Sequence, residues 1–277
     1  MSTVYYMGKF EQKDGEQTFY GDWEITKEEY DKFVTSNETL GRIVSNYDYY
    51  EMLMSNVDEV LSVIHAFEAK RDSFVYSNEI EPYVRELNRT FINALGSFAC
   101  YLNHYEYVLK TKYDDNSIFD KFKKVCNTYF DSYFAYRFFY KLRNYVVHCN
   151  IPVTLLESTA NCVEETFYID VSELLEEFDW GKIVKEDLEG LEADIGVKDF
   201  ITAVRGMLMN LNKDILFLDE DRIKDAMEYL KSVLLVDENG EAHVPAIIMV
   251  DDEDASKMQV TMYGDNFLAA CKILGGV

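Results

Sequence analysis

Arg137, Lys141, Asn144 and His148 follow one another at spacings of four, three and four. On a helix, at about 100° per residue, all four fall on one stripe, with Tyr133 and Tyr140 flanking it and Arg143 at its edge. These residue types suit a phosphate ester. A guanidinium grips phosphate oxygens through a planar fork, and an ammonium adds charge. An imidazole takes or gives a proton near neutral pH. The Asn144 amide, one turn before His148, shares its face and could orient the ring. The tyrosines could stack on bases.

The setting sharpens this. The chain has 277 residues with 51 acids and 27 bases, a formal charge of −24. Such a balance excludes a general nucleic-acid coat, which needs Lys and Arg to displace counterions. It also argues against docking on anionic lipid. Yet Ser132–Leu156, 25 residues, contains no Asp or Glu. At the chain's average, roughly four or five would stand there. The opposite arc of the same helix carries Phe134, Ala135, Phe138, Phe139, Leu142, Tyr145 and Val146, so the spacing predicts an apolar face toward a core and a basic, tyrosine-rich face toward solvent.

Within this window, Arg143-Asn144-Tyr145-Val146-Val147-His148 reads R-N-x-x-x-H. This resembles the Rx4–6H signature of the HEPN superfamily, whose catalytic members are metal-independent endoribonucleases. The context is similar too: the end of a long helix in a helical bundle, with Pro152 soon after. The resemblance covers roughly 46–153. It implies that Arg143 contacts the scissile phosphate, that His148 moves the proton and that Asn144 holds the site, the attacking group being the RNA's own 2′-hydroxyl. Arg137, Lys141 and Tyr140 are then candidate RNA-binding residues. The resemblance implies a homodimer, a toxin or phage-defence role, and a regulatory or antitoxin protein as a further partner. Asn150 departs from the pattern, since members held by nucleotidyltransferase antitoxins often carry Tyr there. The other class open to the same residues is a catalytically inactive HEPN-like dimeric scaffold.

Positioning these residues requires long helices, and only three prolines occur (Pro82, Pro152, Pro245). The fold class expected is mainly α (α+β): an antiparallel bundle of long helices, with short β segments at the N-terminus and in the C-terminal region. Residues 1–45 read as strands around Gly8, Gly15 and Gly21, followed by a helix opened by the capping box Thr26–Glu29. Residues 46–153 read as the bundle, with helices over 46–70, 77–112 and 116–149. Residues 154–277 read as an α/β region with strands near 164–171, 244–250 and 258–263, helices over 172–178, 197–218, 220–235 and 265–274, and a turn at 237–240.

Other patterns carry less. Cys100 and His104 share a helix face but lack a second pair at ligand spacing, so packing is the expected role. Cys149 adjoins His148, yet helix neighbours point about 100° apart, against a Cys–His nucleophile. The acidic run Asp251–Asp254 lacks the spacing of a calcium loop. No P-loop, GxGxxG, GxSxG or HExxH occurs. No cofactor or metal is expected, no apolar run could span a membrane, and five cysteines without CxxC fit a reducing cytoplasm.

Overall fold

The computed structural model describes residues 3–13, 16–70, 79–112, 116–155, 167–236, 242–251, 258–261 and 266–275. In chain order the elements are β1 (Thr3–Lys13), β2 (Glu16–Ile25), α1 (Lys27–Glu68), α2 (Glu81–Lys112), α3 (Asn116–Ser132) and α4 (Phe134–His148). Next come β3 (Val153–Leu155), β4 (Phe167–Ile169), α5 (Val171–Glu177), α6 (Lys182–Glu189), β5 (Ile195–Gly196) and α7 (Val197–Leu216). Last are α8 (Glu220–Ser232), β6 (Leu235–Val236), β7 (Ala242–His243), β8 (Ala246–Asp251), β9 (Met258–Thr261) and α9 (Asn266–Gly275). The fold is mainly α with short strands, as expected. No helix among the described residues is long and apolar enough to cross a membrane.

The chain divides into two compact units, Met1–Tyr47 with Asp219–Val277, and Asp48–Leu218. These boundaries regroup the stretches 1–45, 46–153 and 154–277. The cause is strand pairing: β1 runs antiparallel to β8 from Thr3↔Asp251 to Gly8↔Ala246. A four-stranded sheet of order β2-β1-β8-β9 thus joins the two chain ends. In this unit Thr26 and Glu29 form the expected capping box, Thr26 N–H donating to Glu29 Oε2 (2.8 Å) and Glu29 N–H to Thr26 Oγ1 (3.2 Å). The helix it opens is α1, one continuous helix where two were expected. Gly41 stands inside it because Asn266 of α9 approaches: a Cβ there would lie 3.0 Å from Asn266 Nδ2.

The Asp48–Leu218 unit holds the bundle. Its core is aromatic. Phe91, Phe98, Phe138, Phe139 and Trp180 are sealed from solvent. Phe98 and Phe139 lie 5.4 Å apart, Phe138 and Phe200 5.3 Å, and Phe138 and Trp180 5.5 Å. Rings at these spacings add modestly to the burial term that dominates. Buried polar groups are paired: Tyr101 Oη donates to Asn212 Oδ1 (3.0 Å) and Trp180 Nε1 to the Leu174 carbonyl (2.6 Å).

One clamp fixes the exit of α4. Asn88 on α2, 6% exposed, donates to the Val153 carbonyl (2.8 Å) and accepts from the Val153 N–H (3.1 Å). It closes the backbone of β3 against α2. Asn88→Ala orphans both buried backbone groups and is expected to cost about 2–3 kcal/mol of stability, read by denaturant unfolding.

The start of α5 is similarly specified. The Asp170 side chain accepts from the Glu173 N–H (3.0 Å) and from Ser172 Oγ (2.6 Å). These bonds, Ser172 first, hold its carboxyl below the ordinary aspartate range. The stabilisation is therefore present above the unfolded aspartate pKa of about 4 and drains away as pH falls through the lowered native value. Asp170→Ala is expected to cost about 1 kcal/mol at pH 7, and the gap to the parent protein narrows as the unfolding series is taken into acid.

Candidate functional site

The helix expected over 116–149 is broken. Tyr133 has extended backbone (φ −120°, ψ 114°) and is the N-cap of α4, with no side-chain cap of its own. The break leaves the last carbonyls of α3 without helical partners. Arg137 meets them: its Nη1 donates to the carbonyls of Phe130 (3.2 Å) and Asp131 (3.4 Å). A cation there also suits the negative end of the α3 dipole. The same guanidinium is held in a two-point pair by Asp187 of α6, through Nε–Oδ2 and Nη2–Oδ1 (2.8 Å). The two side chains are 12% and 22% exposed. Asp187 holds the Arg137 pKa above its ordinary value. Arg137, expected on the RNA path, is thus a structural tie whose guanidinium is already engaged by Asp187 and two carbonyls.

Helix α6 was not expected, and it is what supplies Asp187. Val184 and Leu188, four apart, bury its inner face. Gly181 precedes it at φ 71°, ψ 165°, a backbone region that is essentially glycine-only. That Gly, the Val184–Leu188 spacing and the pairs Lys182–Glu186 and Lys185–Glu189 were the signals available in the sequence.

Helix α4 packs against α2, α3, α6 and α7. Tyr136, Phe138, Phe139, Leu142 and Tyr145 are its buried residues. Of the expected apolar arc, Phe138, Phe139, Leu142 and Tyr145 are buried, while Phe134, Ala135 and Val146 are half-buried. Tyr136 is an addition. Tyr145 stacks near Trp180 (5.6 Å) and donates to Glu177 Oε2 (2.6 Å). Burial and that carboxylate push its phenol pKa well above the ordinary value. Asn150 donates to Glu173 Oε1 (2.8 Å). The stretch without acid along the chain is therefore met in space by Asp187, Glu173 and Glu177, each engaged by an α4 residue or its successor.

The remaining arc of α4 faces solvent. Around the helix it runs from Arg143 through Val147, Tyr140 and Asn144 to His148 and Lys141. Arg143, Tyr140, Val147 and His148 are exposed, and Asn144 and Lys141 half-buried. On the Arg143 side it borders α2, since Tyr136 and Tyr140 share a cavity with Leu102 and Asn103. At the N-terminal end of the arc, Arg137 is tied to Asp187 of α6. Arg143 and His148 stand about 140° apart, at opposite edges of this arc, with a rise of about 7.5 Å.

What sets Arg143 apart is what it lacks. Among the described arginines, Arg85, Arg89, Arg137, Arg205 and Arg222 all pair with carboxylates, and Arg42 donates to Thr39. Arg143 alone makes no side-chain hydrogen bond or ion pair among the described residues. Lys141, Asn144 and His148 are equally unengaged. In a chain of charge −24, an arginine with no carboxylate partner among the described residues is open to an outside anion.

The other constellations resolve as packing. His104 stacks on Tyr49 (4.0 Å, 18°) and burial lowers its pKa. The Cys149 thiol faces the Glu177 carbonyl at 3.6 Å. Among the described residues no group of three or more His, Cys, Asp or Glu is placed to hold a metal. Residues 237–240 and 252–254 lie outside the described residues. Comparison with family models, curated proteins and solved structures finds no match.

Proposed function

We propose that the exposed arc of α4 is the site of an endoribonuclease of HEPN type, in a toxin or phage-defence role. The observation that carries this reading is that Arg143, Asn144 and His148 share the open arc of α4 with side chains that have no partner among the described residues. Arg143 holds the scissile phosphate. His148 takes the proton from the ribose 2′-hydroxyl, whose oxygen attacks the adjacent phosphorus. The bond to the 5′-oxygen breaks, leaving a 2′,3′-cyclic phosphate and a 5′-hydroxyl, and the protonated imidazole can return its proton to that leaving oxygen. Asn144 is the positioning residue, and Lys141 adds charge along the phosphate path.

One helix places Arg143 and His148 too far round to grip one phosphate together. Two copies related by a two-fold axis remove this difficulty, Arg143 of one copy meeting His148 of the other. Val147 (61% exposed) and Tyr140 (47%) lie one turn either side of Arg143, and such apolar exposure fits a self-contact. The same apolar strip favours the second reading, an inactive dimeric scaffold in which the arc serves only the contact. Incubation of the full chain with total RNA in EDTA separates them: RNA lost with the parent protein, and spared by Arg143→Ala and His148→Ala, supports the nuclease. Equal survival in all three samples, at concentrations where the protein is dimeric, favours the scaffold. A regulatory or antitoxin protein, in this reading, acts by covering the same arc.

A further inference from the structure

One turn before Arg143, the α4 arc opens onto a cavity of about 210 Å³ between α2, α3 and α4. Pockets for drug-sized ligands run to roughly 300–1,000 Å³, so this one suits a single small ring system. Its polar groups come from opposite sides: Asn103 on α2 and Asn127 on α3. Both are exposed, and neither carboxamide makes a hydrogen bond among the described residues. Each carries a donor and an acceptor side by side, the pattern with which an amide reads the edge of a base.

Tyr140 forms the outer wall. Its ring is parallel to that of the buried Tyr136 (5°, 6.3 Å between centroids), which leaves Tyr140, 47% exposed, with a face toward solvent. The floor is neutral. Burial pushes the Cys126 thiol up to about 11, so it stays protonated beside the Tyr136 phenol. The one acid in the wall, Glu106, accepts from Lys110 Nζ (2.6 Å) and Lys123 Nζ (2.8 Å). Those ammonium groups, Lys110 first, hold its pKa down. The wall therefore brings no unpaired negative charge against a nucleic acid, which matters in so acidic a chain.

We infer that this cavity receives one nucleobase of the bound RNA, its face stacked on Tyr140 and its polar edge read by Asn103 and Asn127. Tyr140 and Arg143 are about 4.5 Å apart along the helix axis, so a strand whose phosphate meets Arg143 passes the mouth of the cavity. The inference rests on the reading of the α4 arc as an RNA site. It adds that cutting depends on the base beside the scissile phosphate.

The test uses 2′-O-methyl hexamers, which lack the attacking hydroxyl, carrying A, C, G or U at alternate positions in a uridine background. Binding to the full chain is read by fluorescence anisotropy. The expected result is a spread in Kd of at least about five-fold among the four, shrinking below about two-fold in Asn103→Ala and Asn127→Ala. Tyr140→Ala weakens all four by about ten-fold, while Tyr140→Phe retains binding. Equal affinities in the parent protein, a spread untouched by both asparagine variants, or no binding at all would overturn the proposal. So would a nucleoside monophosphate that binds as tightly as its hexamer, which would make the ligand a free nucleotide. The two readings fail separately. Base preference without any cleavage of unmodified RNA in EDTA sinks the nuclease and keeps the subsite. Cleavage without base preference does the reverse.

Discussion

Replacing His148 by Ala is expected to lower RNA cleavage by about 10²- to 10⁴-fold, the usual worth of a positioned general acid–base. Arg143→Ala is expected to lower it by about 10²- to 10³-fold, the range for removing one group that stabilises developing charge. Neither change should disturb folding. Both side chains are exposed and make no hydrogen bond or ion pair among the described residues, and surface substitutions of that kind usually move stability by under about 0.5 kcal/mol. The combination is informative because it is asymmetric: a large loss of activity with an unchanged unfolding curve belongs to a site and not to a scaffold. Products carrying 2′,3′-cyclic phosphate ends, formed in EDTA, are the chemical signature of 2′-hydroxyl attack. A His148→Ala protein that cuts as fast as its parent removes the imidazole from the mechanism.

The converse is expected at Arg137. Its guanidinium is nearly enclosed, is gripped at two points by Asp187 and caps the end of α3. Arg137→Met leaves Asp187 without its partner and the Phe130 and Asp131 carbonyls without a donor. The expected cost is about 2–3 kcal/mol, below the roughly 3–5 for breaking a fully buried pair because both groups keep some solvent contact. In a chain of this size that is a fall in Tm of about 5–10 °C. Asp187→Ala should cost a similar amount. Arg137→Met with Asp187→Leu should recover part of the loss, since removing both charges avoids stranding either one. Cleavage per folded molecule should be unchanged, measured at a temperature where each variant is folded. An Arg137→Met protein of parental stability that fails to bind RNA would return Arg137 to the phosphate path.

Arg137 also marks where sequence reading stops. Its position on the α4 stripe was legible, because helical periodicity places it beside Lys141, Asn144 and His148. Its role was not, because the partner lies 50 residues on in a helix that spacing alone did not raise above its loop-like surroundings. The break at Tyr133 was hidden for a related reason. No Gly or Pro interrupts Asn116–His148, and the extended Tyr133 is sustained by what the rest of the fold does for the end of α3. The continuity of α1 through Gly41 was equally hidden, since the close approach of Asn266 there comes from the far end of the chain. Local signals with local causes fared better. The Thr26–Glu29 box, the stop before Pro152 and the apolar face around Phe138, Phe139 and Leu142 all follow from chemistry within a turn or two. The pairing of β1 with β8 has no such local signature.

The charge pattern gains a second meaning in three dimensions. Helix α4 and its exit are not free of acid in space: Asp187, Glu177 and Glu173 each approach them, and each is engaged, by Arg137, Tyr145 and Asn150. What stays open is the solvent-facing arc of α4, where Arg143 and His148 stand at opposite edges. On the proposed function, RNA binds at this arc alone, because a chain of charge −24 repels phosphate elsewhere.

The proposed two-fold site gives the most direct test. Arg143→Ala and His148→Ala proteins, each inactive alone, are mixed in equal amounts and allowed to exchange subunits. If Arg143 of one copy works with His148 of the other, each mixed dimer carries one intact site, and RNA cleavage in EDTA should recover to about a quarter of the parental rate. A mixture as inactive as either variant, with subunit exchange verified, would contradict the two-fold site.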